Sequence, residues 1–497
     1  MFAPTHTWSQ SLSEKFGTTY DTAKMPIYSL HTAYLPQGWT RDALITVSNQ
    51  GMITAIDASA AASAAAGTAV SGSSAAAERV QGIVVPGIPN AHSHAFQRAM
   101  AGATEYRFSA RDSFWTWRQA MYALANRIAP EELQVVATQL FVEMLKAGYT
   151  SVAEFHYLHG AAGGGALQAG ANPLWDAICN AAKISGIGLT FLPTLYQSSD
   201  FGGKPLKPEQ ARFAMDTEGF VRAIADRISA ERLGGSSAVR TGAAFHSLRA
   251  VPLDQLLYAA QALHAVDSNM PVHIHVAEQI LEVRACVACT GLRPIELLLD
   301  RGLLTEHWCV VHATHATADE LQGIVASDAV VCVSVSTEAN LGDGFFDAAR
   351  FLKSAGKLCV GSDSQATVSP AEELRWLEYQ QRLRKRRRGV LVTTGEPHVG
   401  TRLWRDAALH GAQAVGQAVG SIAIGRRADW VVLDAEHSAL AGADIDSALD
   451  RLVFAGADKA IRDVMVGGRW VIKDGRHLAD NELRGEFSRV MNDLRKN

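Results

Sequence analysis

Between Ile83 and about Gly420, short apolar runs alternate with longer stretches whose apolar residues recur at helical spacing. The runs Ile83–Val85, Thr150–Phe155, Gly188–Pro193, Arg240–Phe245, Val272–Val276, Cys309–Val311, Val330–Val335 and Leu358–Val360 read as strands. The intervening stretches read as amphipathic helices. In Pro130–Ala147, Leu133, Val136, Leu140, Met144 and Leu145 form one stripe, and Gly148 stops the helix. Eight strands alternating with helices predict an α/β fold, a (β/α)8 TIM-like barrel.

The two chain ends follow a different pattern. Ile27–Tyr34 roughly alternates and is followed by a turn at Pro36-Gln-Gly38. Ala43–Val47 and Met52–Ile56 flank Ser48-Asn-Gln-Gly51, a hairpin signal. Ala58–Ala77 is almost wholly Ala, Ser, Gly and Thr. It lacks large apolar residues with which to bury a face and reads as a flexible surface loop, with Gly67 and Gly72 weighing against a helix. After Gly420 strands return at Gly425–Leu433, Val464–Val466 and Arg469–Lys473. These pair by expectation with the N-terminal strands into a small β-sandwich built from both ends. The expected organisation is residues 1–85 and 421–497 as the two parts of the sandwich, with 86–420 as the barrel.

Composition narrows the class. A chain of 497 residues is too long for one compact core of ordinary size. Charged residues make up 19% and the net charge is -4, which argues against a nucleic-acid binder. The densest basic run, Arg382–Arg388, has no interleaved aromatics and reads as a solvated helix face or a weak attractor for anions. The six cysteines are scattered, so they form no disulfide framework, and Cys286 and Cys289 read as two packed thiols on a helix. No signal segment and no membrane-length apolar run is evident, so the expected location is cytoplasmic, without a membrane partner.

Chemistry concentrates where the apolar runs end. Val84-Val-Pro-Gly-Ile-Pro-Asn-Ala-His92-Ser-His94 delivers two imidazoles spaced i, i+2 on one side of an extended chain. His275, followed by Glu278, ends the fifth run. His312 ends the sixth, and Asp363 follows the eighth in Gly-Ser-Asp-Ser. In a barrel of this kind, strand C-termini converge on one face. Three imidazoles (His92, His94, His275) and the Asp363 carboxylate suit one divalent metal, most naturally Zn2+. Glu278 is placed to take a proton from water and pass it to a leaving nitrogen. His312, or alternatively His315, is placed to hydrogen-bond the nucleophile or the tetrahedral intermediate, and Asp363 to act as a second proton acceptor. His273 shares the strand face of His275 and reads as a deeper packing or supporting residue.

Gln97 follows the metal pair, Tyr157 and His246 end strands two and four, and Arg249 lies just beyond His246. Arg118 sits in an aromatic stretch, Phe114–Arg118, that could form a lid. Guanidinium groups clamp carboxylates in a fork, so this set suits a small anionic substrate.

These stretches resemble the amidohydrolase superfamily and, within it, the family of formimidoylglutamate deiminases. The resemblance rests on Pro86–Gly102 around His-Ser-His-Ala-Phe-Gln-Arg, on Asp112–Arg118, Glu154–Tyr157, Val311–His315, Ser336–Gly344, Gly361–Ser364 and Glu372–Tyr379. It spreads over nearly the whole chain. It implies a barrel with a small β-sandwich and one zinc on His92, His94, His275 and Asp363. It also implies Glu278, His312 and Asp363 as the catalytic group, and Gln97, Tyr157, His246, Arg249 and Arg118 around substrate carboxylates. The implied reaction is hydrolysis of N-formimino-L-glutamate to N-formyl-L-glutamate and ammonia, in histidine degradation, by a homodimer. Ala58–Ala77, Gly160–Gly170 and Gly234–Ser237 look like loop insertions relative to that family. The alternative within enzymes is a deaminase for a purine, pterin or guanidino compound, favoured by a pocket of aromatic and amide groups without Arg249. A silent scaffold relative would tend to lose ligands, and none is missing.

Overall fold

The computed structural model describes residues 25–58, 77–105, 114–160, 172–234 and 239–496. Nearly all of the alanine-rich loop and of the Gly160–Gly170 segment lies outside the described residues, as do the start of the Asp112–Arg118 stretch and most of Gly234–Ser237.

The N-terminal strands are β1 (Ile27–Leu35), β2 (Gly38–Val47), β3 (Ile53–Asp57) and β4 (Glu78–Pro86). The C-terminal strands are joined to them: β14 (Trp430–Leu433), β15 (Ile461–Val466), β16 (Arg469–Lys473) and β17 (Arg476–His477). One ladder runs β17-β16-β15-β14-β4-β1-β2-β3, and the two chain ends meet where β4 pairs antiparallel with β14. Successive residues of a strand face opposite ways, which divides this sheet between two cores. Leu30, Val84, Trp430 and Val432 join a cluster of their own. Ile83, Val85, Val431 and Leu433 join the main core shared with the barrel.

The barrel strands are β5 (Ile88–Ser93), β6 (Tyr149–His156), β7 (Gly188–Leu195), β8 (Val239–Thr241), β9 (Ala243–Phe245), β10 (Val272–Val276), β11 (Trp308–His312), β12 (Val330–Val333) and β13 (Lys357–Val360). All neighbours are parallel. The fourth barrel position is shared by β8 and β9, broken at Gly242, where a Cβ would lie 2.6 Å from the Pro271 carbonyl oxygen. A parallel bridge from Ser93 to Asp363 joins the last strand to the first.

The first barrel strand is not Ile83–Val85. Those residues belong to β4 in the outer sheet, and the barrel begins at Ile88. The apolar run is continuous across the two, so no polar break marks the change of sheet. Pro86-Gly87 makes it. A Cβ at Gly87 would sit 2.1 Å from Thr150 Cγ2, so only glycine lets the chain cross there.

The helix Pro130–Ala147 forms with its five expected stripe residues buried, and Gly148 closes it in the left-handed region (φ 102°). Burial of each such Leu or Val contributes about 1.5–3 kcal/mol. The basic run is partly helical, since the helix Pro370–Lys385 carries its first residues. Cys286 is buried and Cys289 exposed on the helix Ile280–Thr290, and neither is in a disulfide. Among the described residues no helix is long and apolar enough to cross a membrane.

Candidate active site

The chemistry-bearing residues emerge where parallel strands end. His92 lies in β5, and His94 follows it by one residue. His275 lies in β10, His312 ends β11, and Asp363 stands three residues beyond β13. The chain turns sharply at these points. Ala277, His312, Ala313 and Asp363 adopt φ values of 52°, 71°, 51° and 47°. Non-glycine residues in this region carry strain of order 1–3 kcal/mol, a cost tolerated where the surrounding structure over-determines the conformation.

His92 Nε2 lies 3.0 Å from His275 Nε2. Asp363 Oδ1 lies 3.4 Å from Nε2 of both His92 and His94. Ligands at about 2.0–2.1 Å around one tetrahedral ion stand about 3.3–3.4 Å apart. The spacing of these donors therefore fits a divalent metal. Two overlapping sets have ligand atoms mutually close enough to hold an ion: His92 with His94 and His275, and His92 with His312 and Asp363. The ring orientations fit as well. His94 Nδ1 donates to the Phe155 carbonyl at 2.8 Å, and His275 Nδ1 donates to the His246 carbonyl at 2.9 Å. Each leaves its Nε2 lone pair facing the cluster.

Electrostatics favours the ligating forms. Burial, reinforced by the neighbouring imidazoles, holds His275 well below the ordinary histidine range and His94 down to about 3. Burial lowers His92 too. Burial alone would raise Asp363, but its bond to His92 and the surrounding imidazoles hold the carboxyl below the usual range. Burial pushes Glu278 up to about 7. His312 lies 3.8 Å from Glu278 Oε1 and 3.8 Å from Asp363 Oδ2. Burial opposes its charge, yet Glu278, Glu338 and Asp363 outweigh burial and lift it to about 10. The two oxygens of Asp363 thus divide: Oδ1 faces the histidine set and Oδ2 faces His312.

Above this cluster opens a narrow cleft of ≈ 50 Å³. Its walls include Gln97, Arg118, Tyr157, His246 and Arg249, together with His94, His275, Glu278, His312 and Asp363. Every residue expected at the site except the fully buried His92 lines this one space, and His92 lies directly beneath it. Gln97 Nε2 donates to Tyr157 Oη at 2.9 Å. His315 is not part of the cleft wall, and His273 is buried in a deeper layer, donating to the Ala414 carbonyl at 2.8 Å.

Among the residues that the reading of the sequence missed, two bond directly to side chains of the site. Tyr196 accepts hydrogen bonds from Arg118 Nη2 at 2.9 Å and Gln210 Nε2 at 2.8 Å. It directly follows β7, as Tyr157 follows β6, and that position was the available signal. Glu338 accepts from His312 Nδ1 at 3.2 Å. It lies inside the Ser336–Gly344 motif, but nothing in the motif itself points to a histidine partner.

The chain matches the Amidohydrolase family over residues 83–471. The chain belongs to the amidohydrolase family. This amidohydrolase is 46% identical, over 93% of its length and 98% of the relative, to the formimidoylglutamate deiminase of Pseudomonas aeruginosa. Among solved structures it resembles an amidohydrolase from Brucella melitensis, with TM-score 0.85 and 39% identity over 94% of this chain and 99% of that one. It shares its fold with a zinc-bound adenosine deaminase from Xanthomonas campestris, with TM-score 0.78 and 21% identity over 95% of this chain and 99% of that one. The amidohydrolase barrel with a sheet from both chain ends therefore accounts for the whole described architecture.

Proposed function

We propose that this amidohydrolase cleaves the formimino C–N bond of N-formimino-L-glutamate, giving N-formyl-L-glutamate and ammonia. The observation that carries the proposal is the cleft. It ends on the His92, His94, His275 and Asp363 cluster and holds two guanidinium groups, Arg118 and Arg249, in its wall. A substrate with an amidine at one end and two carboxylates meets complementary chemistry at each point. The 46% identity with a formimidoylglutamate deiminase supports the same substrate. A neutral purine or pterin has no carboxylate for either guanidinium group to grip, which disfavours the deaminase alternative.

His92, His94, His275 and Asp363 would hold the metal, and three imidazoles with one carboxylate suit zinc. A divalent cation held there supplies Lewis acidity and makes water a nucleophile near neutral pH. Glu278 takes the proton of the attacking water and delivers it to the imino nitrogen as the C–O bond forms. His312 hydrogen-bonds the oxygen that adds to the formimino carbon. As the tetrahedral carbon collapses, its hydroxyl proton passes through Asp363 and His312 to the departing nitrogen. The C–N bond breaks, ammonia leaves and the formyl carbonyl forms. Arg249 and Arg118 grip the glutamate carboxylates, while Gln97, Tyr157 and His246 set the position of the chain between them.

The test is product analysis with purified, zinc-loaded protein. N-formyl-L-glutamate and ammonia should appear in equal amounts. Inertness toward this substrate, with rapid deamination of a neutral heterocycle, would refute the proposal.

A further inference from the structure

The segment Ser336–Gly344 bonds to each of the three loops that carry Glu278, His312 and Asp363. Thr337 Oγ1 lies 3.0 Å from the hydroxyl of Ser364, next to Asp363. Asp343 accepts from the side-chain amide of Gln279, next to Glu278. Glu338, in the short helix Val335–Leu341, accepts from His312 itself.

The Glu338 contact is the most specific of the three. Its side chain is fully buried, and that of His312 is 1% exposed. Glu338 Oε1 also accepts the Ser334 amide at 3.0 Å, so the oxygen that meets the ring is itself held in place. A helix cap would need only that amide. The additional 3.2 Å approach to Nδ1 ties the carboxylate to the site. The ring N–H donates and the Glu338 oxygen accepts when Nδ1 carries the proton.

We infer that Glu338 is a positioning residue for His312. It holds the Nδ1–H toward itself and presents Nε2 alone to Glu278 and Asp363. This role rests on the proposed deimination, in which His312 must meet the reacting oxygen through one nitrogen. With Nδ1 committed to Glu338, Nε2 is the nitrogen that faces the two carboxylates, 3.8 Å from each. A ring free to flip would divide its time between productive and unproductive tautomers.

Two measurements test the role. The first is a nitrogen-15 histidine spectrum of the wild-type protein, with the His312 signals assigned by their absence in His312→Gln. At the pH of the assay Nδ1 should carry a proton. An unprotonated Nδ1 overturns the inference. This spectrum needs no substrate, so it stands apart from any failure of the proposed reaction.

The second is the kinetic pair Glu338→Ala and Glu338→Gln. Glu338→Ala should lower kcat about 10- to 100-fold while KM and bound zinc stay at wild-type values. Glu338→Gln keeps an oxygen for both donors and should recover most of that loss. Wild-type kcat in both variants, or a loss in Glu338→Ala carried by KM or by metal content, contradicts a positioning role. If Glu338→Ala does not fold, the wild-type spectrum decides the question.

Discussion

The amide of Asp363 donates to the His92 carbonyl at 3.0 Å, while its carboxylate stands 3.4 Å from His92 Nε2. His94 N returns a hydrogen bond to the Asp363 carbonyl at 3.1 Å. The contact that joins the last barrel strand to the first is thus also the contact that assembles the candidate metal cluster. Barrel closure and site geometry share this contact.

Asp363→Asn separates the two roles, because the backbone bonds persist while the charge is lost. The variant should still fold, because the backbone bonds to His92 and His94 do not need the charge. It should bind zinc more weakly and lose about 10²–10⁴-fold in kcat. Metal analysis by mass spectrometry alongside steady-state kinetics reads both, and a variant with full activity would remove Asp363 from the chemistry.

Glu278→Gln tests the proton carrier. Glu278 is outside both metal-holding sets, so zinc content should stay at the wild-type level while kcat falls about 10²–10⁴-fold. The pH dependence has a definite sign. A carboxylate that must accept a proton works only when ionised, so wild-type kcat/KM should rise with pH. Burial pushes this carboxyl up to about 7, and attraction to a bound cation moves it lower. The rising limb should therefore lie at or below about pH 7. It should vanish in Glu278→Gln, and an unchanged limb would assign it to another group.

Much of this site was legible in the chain because its residues are polar groups at the ends of apolar strands. His92, His94, His275, His312 and Asp363 stand out against Val, Ile and Cys neighbours, and the barrel brings such ends to one face. What was not legible depends on tertiary contact. Glu338 meets His312 across 26 residues, and Tyr196 meets Arg118 across 78. The boundary between β4 and β5 was hidden for another reason: both sides of Pro86-Gly87 are apolar, so hydropathy does not change where the sheet does.

Arg249→Met and Arg118→Met should act on binding. A charge-assisted hydrogen bond contributes about 1.5–3 kcal/mol, so each should lower kcat/KM about 10- to 100-fold, mainly through KM. Arg249→Lys should recover little, since an ammonium does not offer the planar fork. Tyr196→Phe removes the oxygen that receives Arg118 and should raise KM by a smaller factor. A loss confined to kcat in these variants would place the guanidinium groups elsewhere in the reaction.

Asp429→Ala addresses stability away from the site. Arg427 Nη2 meets Asp429 at 2.6 Å, with side chains 4% and 0% exposed, and Arg427 Nη1 reaches Gln417 at 2.7 Å. Gln417 in turn donates to the Leu189 carbonyl in β7, so the pair ties the outer sheet to the barrel. Removing the carboxylate strands a buried guanidinium, at a cost of about 3–5 kcal/mol. The urea midpoint should drop, with kcat per folded molecule unchanged at 25 °C. An unaltered midpoint would show that the pair contributes nothing net.

Metal-free protein titrated with zinc, with ammonia release from N-formimino-L-glutamate followed at each step, tests the convergence of His92, His94, His275 and Asp363 most directly. Activity should rise linearly and break at one equivalent per chain. A break at two equivalents, or full activity before any zinc is added, would contradict a single-ion hydrolytic site.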